Sequence, residues 1–252
     1  MPTPTVPLSA PVLALALALA ILLRPMATAA QTEAVDLELL LAIDCSSSVS
    51  DEEFALQLQG IARAFEDPPV LAAIEQIGGR GIAVGLLQWS SSGAQTMAVD
   101  WTRIDGVGGA LAFAKAVRRT GRLIPGGATS LSGALTQAVA AIERNGFVGE
   151  RQVIDVSGDG RANEGESPAH ARAYANRIGI TINGLTILNE EPELARYYRA
   201  WVVGGPGSFL LTANDFHDFA EAMRRKLYFE IAGVPVAAAP GGERHGGLLQ
   251  DR

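Results

Sequence analysis

The chain carries a single cysteine, Cys45, in 252 residues. One thiol makes no internal disulfide, so stability has to come from a buried core. Aromatic residues are scarce at 6%, too few for the stacked platforms that single-stranded nucleic acid needs. Lys and Arg number 20 against 27 Asp and Glu, and no basic run occurs. Phosphate backbones are bound by clustered cations, so nucleic acid is not an expected partner. Three histidines are present, His170, His217 and His245, and no G-x-S-x-G elbow. This weighs against a Ser-His-Asp hydrolase. No G-x-G-x-x-G follows the first apolar strand, which removes the usual dinucleotide site. No repeat of solenoid or propeller period is visible. The longest apolar run, Val12 to Leu23, has 12 residues, short of the roughly 20 that cross a bilayer.

That run fits the core of a signal peptide, and Ala27-Thr28-Ala29 supplies a small-x-small cleavage pattern. Residues 1–30 are therefore expected to be a signal peptide. The mature protein is expected to be exported, periplasmic or extracellular, with no stable membrane span. No Lys or Arg precedes the run and Arg24 follows it, so retention as an anchor is the alternative. Residues 31–233 read as one domain. Residues 234–252, rich in Pro, Gly and Ala without periodicity, read as a disordered tail.

Hydrophobic content of 48% supports a sizeable core. Within the domain, strand-like and helix-like segments alternate. Val35 to Ile43 becomes apolar throughout, as a strand covered on both faces does. Ser50 and Glu53 form a capping box, and Phe54, Leu58, Ile61 and Phe65 recur at helical spacing until Asp67-Pro68. Gly81 to Trp89 is a second buried strand, with Ala94 to Ile104 beside it as an edge. Gly109 to Arg119 reads as a helix. Leu131, Leu135, Val139 and Ile142 mark another, closed by Asn145-Gly146. Strand Arg151 to Ser157 leads to a helix opened by Ser167-Pro168. A strand, a short helix, a last strand and a helix carrying Phe216, Phe219, Met223 and Leu227 complete the domain. The expected fold is α/β: a doubly wound, mostly parallel six-stranded sheet with helices on both faces. Ligands of such sheets bind beyond the C-terminal strand ends, where the strand order reverses.

Three loops there carry oxygen. The first strand ends in Asp44-Cys45-Ser46-Ser47-Ser48, a D-x-S-x-S pattern. Alternate side chains leaving a strand point to one side, so one carboxylate and two hydroxyls could converge on a hard divalent cation. The competing reading is a turn plus a helix cap. The second loop, "IPGGATSLSGAL", holds Thr129, for which a helix cap by Thr129 or Ser130 is the plain alternative. The third, "VIDVSGDGRANEG", holds Asp159 between glycines, and an Asp-Gly turn explains it equally well. Asp155 sits within the strand itself. Sharing a face with Val153 and Ser157, it would be buried and would need a partner or a cation.

These loops, in this order, resemble the von Willebrand factor A domain, over about Val35 to Ile231. The stretches "DLELLLAID", "QWS", "RNGFVGERQVIDVSGDGRANEG", "YYRAWVVGGPGSF" and "FAEAMRRKL" resemble one exported bacterial branch of that family, known by a domain-of-unknown-function label. The resemblance implies a metal-ion-dependent adhesion site. Asp44, Ser46, Ser48, Thr129 and Asp159 match its positions. It implies Mg²⁺, with Mn²⁺ or Ca²⁺ as substitutes, and a protein partner presenting Asp or Glu to the ion. Where the common pattern has Thr-Asp-Gly, this chain has Gly158-Asp159-Gly160. Ser157 is a candidate to supply the missing hydroxyl, and Asp155 a lesser ligand candidate. The alternative activity is a phosphatase-like, metal-dependent hydrolase using Asp44, Asp155 and Asp159.

Other features read plainly. Cys45, at an x position, is a small buried residue. Trp89, Trp101 and Trp201 belong to core or loop packing. Arg224-Arg225-Lys226 is a solvated cluster near a helix end. "VGGPGSF" is a turn-rich segment away from the site.

Overall fold

The computed structural model describes residues 32–233. The expected signal peptide and the expected tail lie outside the described residues. Six strands run β1 (Glu33–Asp44), β2 (Ile82–Trp89), β3 (Gln95–Ile104), β4 (Phe147–Gly158), β5 (Thr181–Ile187) and β6 (Leu210–Ala213). The helices among the described residues are α1 (Asp51–Ala64), α2 (Pro68–Gln76), α3 (Val107–Arg119), α4 (Leu131–Glu143), α5 (Pro168–Arg177), α6 (Leu194–Trp201) and α7 (Phe219–Ala232). The strand order is β3-β2-β1-β4-β5-β6. Every neighbouring pair is parallel except β2 with β3. The segment Ala94 to Ile104, expected beside the second strand as an edge, forms the edge strand β3, and the structure pairs it antiparallel to β2.

The apolar runs decide the layering. Every residue of β1 from Val35 to Asp44 is buried, because helices cover both faces. Leu37, Leu39, Leu41 and Ile43 pack with Ile61 of α1, Phe65 that caps its C-terminus, and Phe113, Phe219 and Met223 from α3 and α7. Leu40 and Ala42 point the other way, to Leu135, Val139 and Tyr198 from α4 and α6. At α1 the capping box forms as expected. The Glu53 amide donates to Ser50 Oγ at 3.2 Å, and the Ser50 amide donates to Glu53 Oε2 at 2.9 Å. Among the described residues no helix is long and apolar enough to cross a membrane.

Local signals fell short in two places. Asp67-Pro68 ends α1 but also opens α2, whose first-turn prolines need no amide donor and have φ preset for a helix. Strand β4 begins at Phe147, four residues before Arg151, because Glu33 to Val35 of β1 pair with Phe147 to Gly149.

Two readings are corrected. Lys226 is fully buried rather than solvated. Its Nζ lies 2.9 Å from Asp155 Oδ1 and 2.6 Å from Glu230 Oε1. Asn183 Nδ2 donates to the same Glu230 oxygen at 3.0 Å. The partner that buried Asp155 needs is therefore this ammonium group. Arg225 does face solvent, and Arg224 pairs with Glu221 at 2.9 Å. Trp89 is fully buried and Trp101 packs on the same core, but Trp201 is exposed.

Candidate metal centre

β1 connects outward to β2, whereas β4 connects outward to β5 on the other side. The order therefore reverses between β1 and β4, and both strands end there in oxygen-bearing loops. Asp44 is the last residue of β1 and is buried. Its Oδ1 accepts from the Ser46 amide at 2.7 Å, while its Oδ2 is buried without a hydrogen-bond partner. Ser46 Oγ and Ser48 Oγ lie 3.1 Å apart. Ser48 Oγ then donates across to Asp159 Oδ1 on the third loop at 2.8 Å. Asp159 Oδ2, like Asp44 Oδ2, is buried and unpartnered.

The bland alternatives for these residues are taken by others. Ser50 caps α1. Ser130 caps α4, accepting from the Gly133 amide at 3.3 Å. Ser167 caps α5. Ser46, Ser48 and Thr129 are left free of capping duty. Thr129 is buried and sits against the third loop: its Oγ1 would lie 3.9 Å from a Cβ placed on Gly160.

Asp155 and Ser157 are not brought to this cluster. They alternate onto the opposite face of β4 from Ile154 and Val156, pairing in register with Leu41 and Ile43. The three-carboxylate set of the hydrolase alternative is therefore not assembled. Asp155 is held by Lys226, and Ser157 Oγ is buried without a partner. His170 is exposed, 3.5 Å from Glu166. "VGGPGSF" meets the start of β5, Ile182 donating to Gly204 O at 2.8 Å, at the end of the sheet away from the loops.

Three supporting residues escaped the sequence reading. Asn163 clamps the second and third loops together: its Oδ1 accepts from the Thr129 amide at 2.8 Å, and its amide donates to Thr129 O at 3.0 Å. Arg122 donates to Cys45 O at 2.8 Å, Val49 O at 2.7 Å and Ser50 O at 3.1 Å, bracing the first loop from behind. Gln57 donates to Asp44 O at 3.1 Å. Asn163 stands within the quoted "GDGRANEG", but nothing local marks it; Arg122 and Gln57 lie in stretches with no motif. Gly127 is required by crowding, since a Cβ there would lie 2.2 Å from Ser91 Oγ.

Burial first, and the charge of Asp159 second, push the Asp44 carboxyl up to about 7. Burial likewise raises Asp159. Two inward carboxylates that resist ionisation, each with a bare oxygen, beside three hydroxyls form an all-oxygen donor set. Its chemistry fits a hard divalent cation, whose charge would reverse both shifts. Cys45 points to the opposite face, among Ile43 and Val49. Burial, then the charge of Asp44, push its thiol up to about 12, so it is an inert core residue.

The same architecture recurs in solved structures. Proximal thread matrix protein 1 from the mussel byssus, described with a zinc-occupied MIDAS motif, matches at TM-score 0.57 and 17% identity, over 79% of this chain and 48% of that one. The chain thus spans about half the length of the byssus protein. The vWF domain of the type V pili tip protein Mfa5 from Porphyromonas gingivalis matches at TM-score 0.57 and 12% identity, over 79% of this chain and 96% of that domain. The pilus adhesin SpaC from Lactobacillus rhamnosus GG matches at TM-score 0.54 and 15% identity, over 78% and 30%. Fold and topology are those of the von Willebrand factor A domain. It belongs to the family described as Protein of unknown function (DUF1194), whose profile matches residues 34–235. No curated protein sequence matches the chain.

Proposed function

We propose that this chain is an exported, divalent-metal-dependent binding module that recognises an acidic group of a protein partner. The observation that carries the reading is the meeting of Asp44, Ser46, Ser48 and Asp159 at the sheet's reversal point, with two buried carboxylate oxygens left bare. Asp44, Ser46, Ser48, Thr129 and Asp159 would hold Mg²⁺, with Mn²⁺ or Ca²⁺ as substitutes. Bound there, the ion would supply an electrophilic coordination position for an incoming carboxylate. The residues divide the work. The carboxylates supply charge, and the hydroxyls supply neutral donors that leave the ion short of negative charge. Arg122 and Asn163 hold the loops in place before the partner arrives, so little ordering entropy remains to be lost on binding. Relatives described as a pilus adhesin and a pili tip protein support an adhesive role at the cell exterior. In this reading residues 1–30 direct export, residues 31–233 bind, and residues 234–252 form a tail.

The test is calorimetry with Mg²⁺ on the wild type and on Asp44→Ala, beside capture of the partner from the native organism with and without EDTA. The wild type binds Mg²⁺, Asp44→Ala stays folded without binding, and capture is lost in EDTA. Equal binding by both proteins, or capture indifferent to EDTA, removes the reading. Turnover in a phosphatase or esterase panel would favour an enzyme instead.

A further inference from the structure

On α6, Tyr198 is fully buried, and its hydroxyl finds no hydrogen-bond partner. A phenylalanine would fill the same space without burying a polar atom, so the hydroxyl calls for a reason. The surroundings of Gly158 give one. A Cβ on Gly158 would lie 2.7 Å from Tyr198 Oη, 2.8 Å from Asp44 Oδ2 and 3.4 Å from Trp89 Cζ2. The absent side chain is what allows the phenol from α6 and the carboxylate from β1 to crowd the same point at the end of β4. The two orphaned atoms are chemically complementary. A phenol donates, an ionised carboxylate only accepts, and the other oxygen of Asp44 is already engaged by the Ser46 amide at 2.7 Å.

We propose that Tyr198 is a positioning residue of the metal centre: its hydroxyl and Oδ2 of Asp44, which face one point beside Gly158 without bonding to each other in this structure, close onto one another, so that the phenol donates to that oxygen and fixes the plane of the carboxylate. The inference rests on the reading of Asp44 as part of the metal site. With Ser46 holding Oδ1 and Tyr198 closed onto Oδ2, the carboxylate would be gripped at both ends. Each oxygen keeps a further lone pair for the ion or its water. The donor to an ionised carboxylate makes a charge-assisted bond in a site closed to solvent, where such bonds are strongest. Gly158 and Tyr198 thereby act as a pair: the glycine makes the room and the tyrosine fills it with a donor. Partners that orient a metal-holding side chain tune affinity without touching the ion.

The experiment is the isosteric substitution Tyr198→Phe in the full chain, read in two ways. Calorimetry with Mg²⁺ is expected to show binding weakened by about tenfold. Melting of the metal-free protein at pH 8 is expected to fall with Tyr198→Phe when Asp44 is present. The fall should vanish in an Asp44→Ala background, where there is no carboxylate to receive the bond. A tyrosine that only packs would give the same change in both backgrounds. The inference is overturned by Mg²⁺ affinity unchanged within about twofold, or by melting effects that ignore Asp44. A wild type that binds no divalent cation would instead end the metal reading; the coupling in the metal-free melts would then decide the Tyr198–Asp44 contact by itself.

Discussion

In the proposed metal site, the buried carboxylate of Asp44 would make metal and pH act on stability in opposite directions. Its ordinary value is 3.8, and in the folded, metal-free chain burial and Asp159 raise it to about 7. In an unfolded chain the group therefore ionises well before it does in the fold. The stability it leaves intact below pH 3.8 is lost as pH climbs through 7. A shift of that size corresponds to about 4 kcal/mol at most, at about 1.4 kcal/mol per unit. A cation at the site reverses the penalty, because it binds the ionised form. Asp44→Asn removes both effects, since the amide cannot ionise and its oxygen still accepts from the Ser46 amide. Metal-free melts in EDTA at pH 8 should then show Asp44→Asn more stable than the wild type by about 2–4 kcal/mol, a rise in Tm on the order of 5–10 °C for a domain of this size. At pH 4 the two should melt together. Mg²⁺ at about 100 times its Kd should raise the wild type by about 2.7 kcal/mol and leave the variant where it was. Other raised groups such as Asp155 are common to both proteins and cancel. An Asp44→Asn chain that melts below the wild type at pH 8 in EDTA, or that Mg²⁺ stabilises equally, would refute the reasoning.

Three further outcomes follow from the packing. Lys226→Met strands Asp155 and Glu230 in the core and should lower stability in denaturant titration by about 3–5 kcal/mol; a loss under about 1 kcal/mol would show that the cluster is not held by charge. Asn163→Ala cuts the clamp on Thr129 and should weaken Mg²⁺ binding by about tenfold in calorimetry; unchanged affinity would remove it from the site. Cys45, with a thiol pushed up to about 12 by burial, should resist alkylation at pH 8 until the chain unfolds. Prompt modification of the native protein would contradict its placement.

The candidate site is half legible in the sequence. Asp44, Ser46, Ser48, Thr129 and Asp159 stand out because oxygen donors interrupt apolar runs at points where a strand must end. The capping box at Ser50 was legible for a related reason, since both its bonds join residues three apart in the chain. Tyr198, Asn163 and Arg122 were not legible. Each acts on residues 30 or more positions away: Asn163 on Thr129, Arg122 on the first loop, Tyr198 on Asp44 and Gly158. Lys226 misled for the same reason: beside two arginines at a helix end it reads as solvated, and only β4 beneath α7 supplies Asp155.

By itself, then, the sequence determined the alternation of strands and helices, both buried faces of β1 and the three oxygen-bearing loops. Those are properties of period, composition and local hydrogen bonding. The tertiary structure alone decided that Asp44 and Asp159 meet while Asp155 turns to Lys226. Side chains alternate faces along β4, and the crossing from edge strand β3, past β2 and β1, to β4 sets which face the intervening helices cover. No local pattern records that choice.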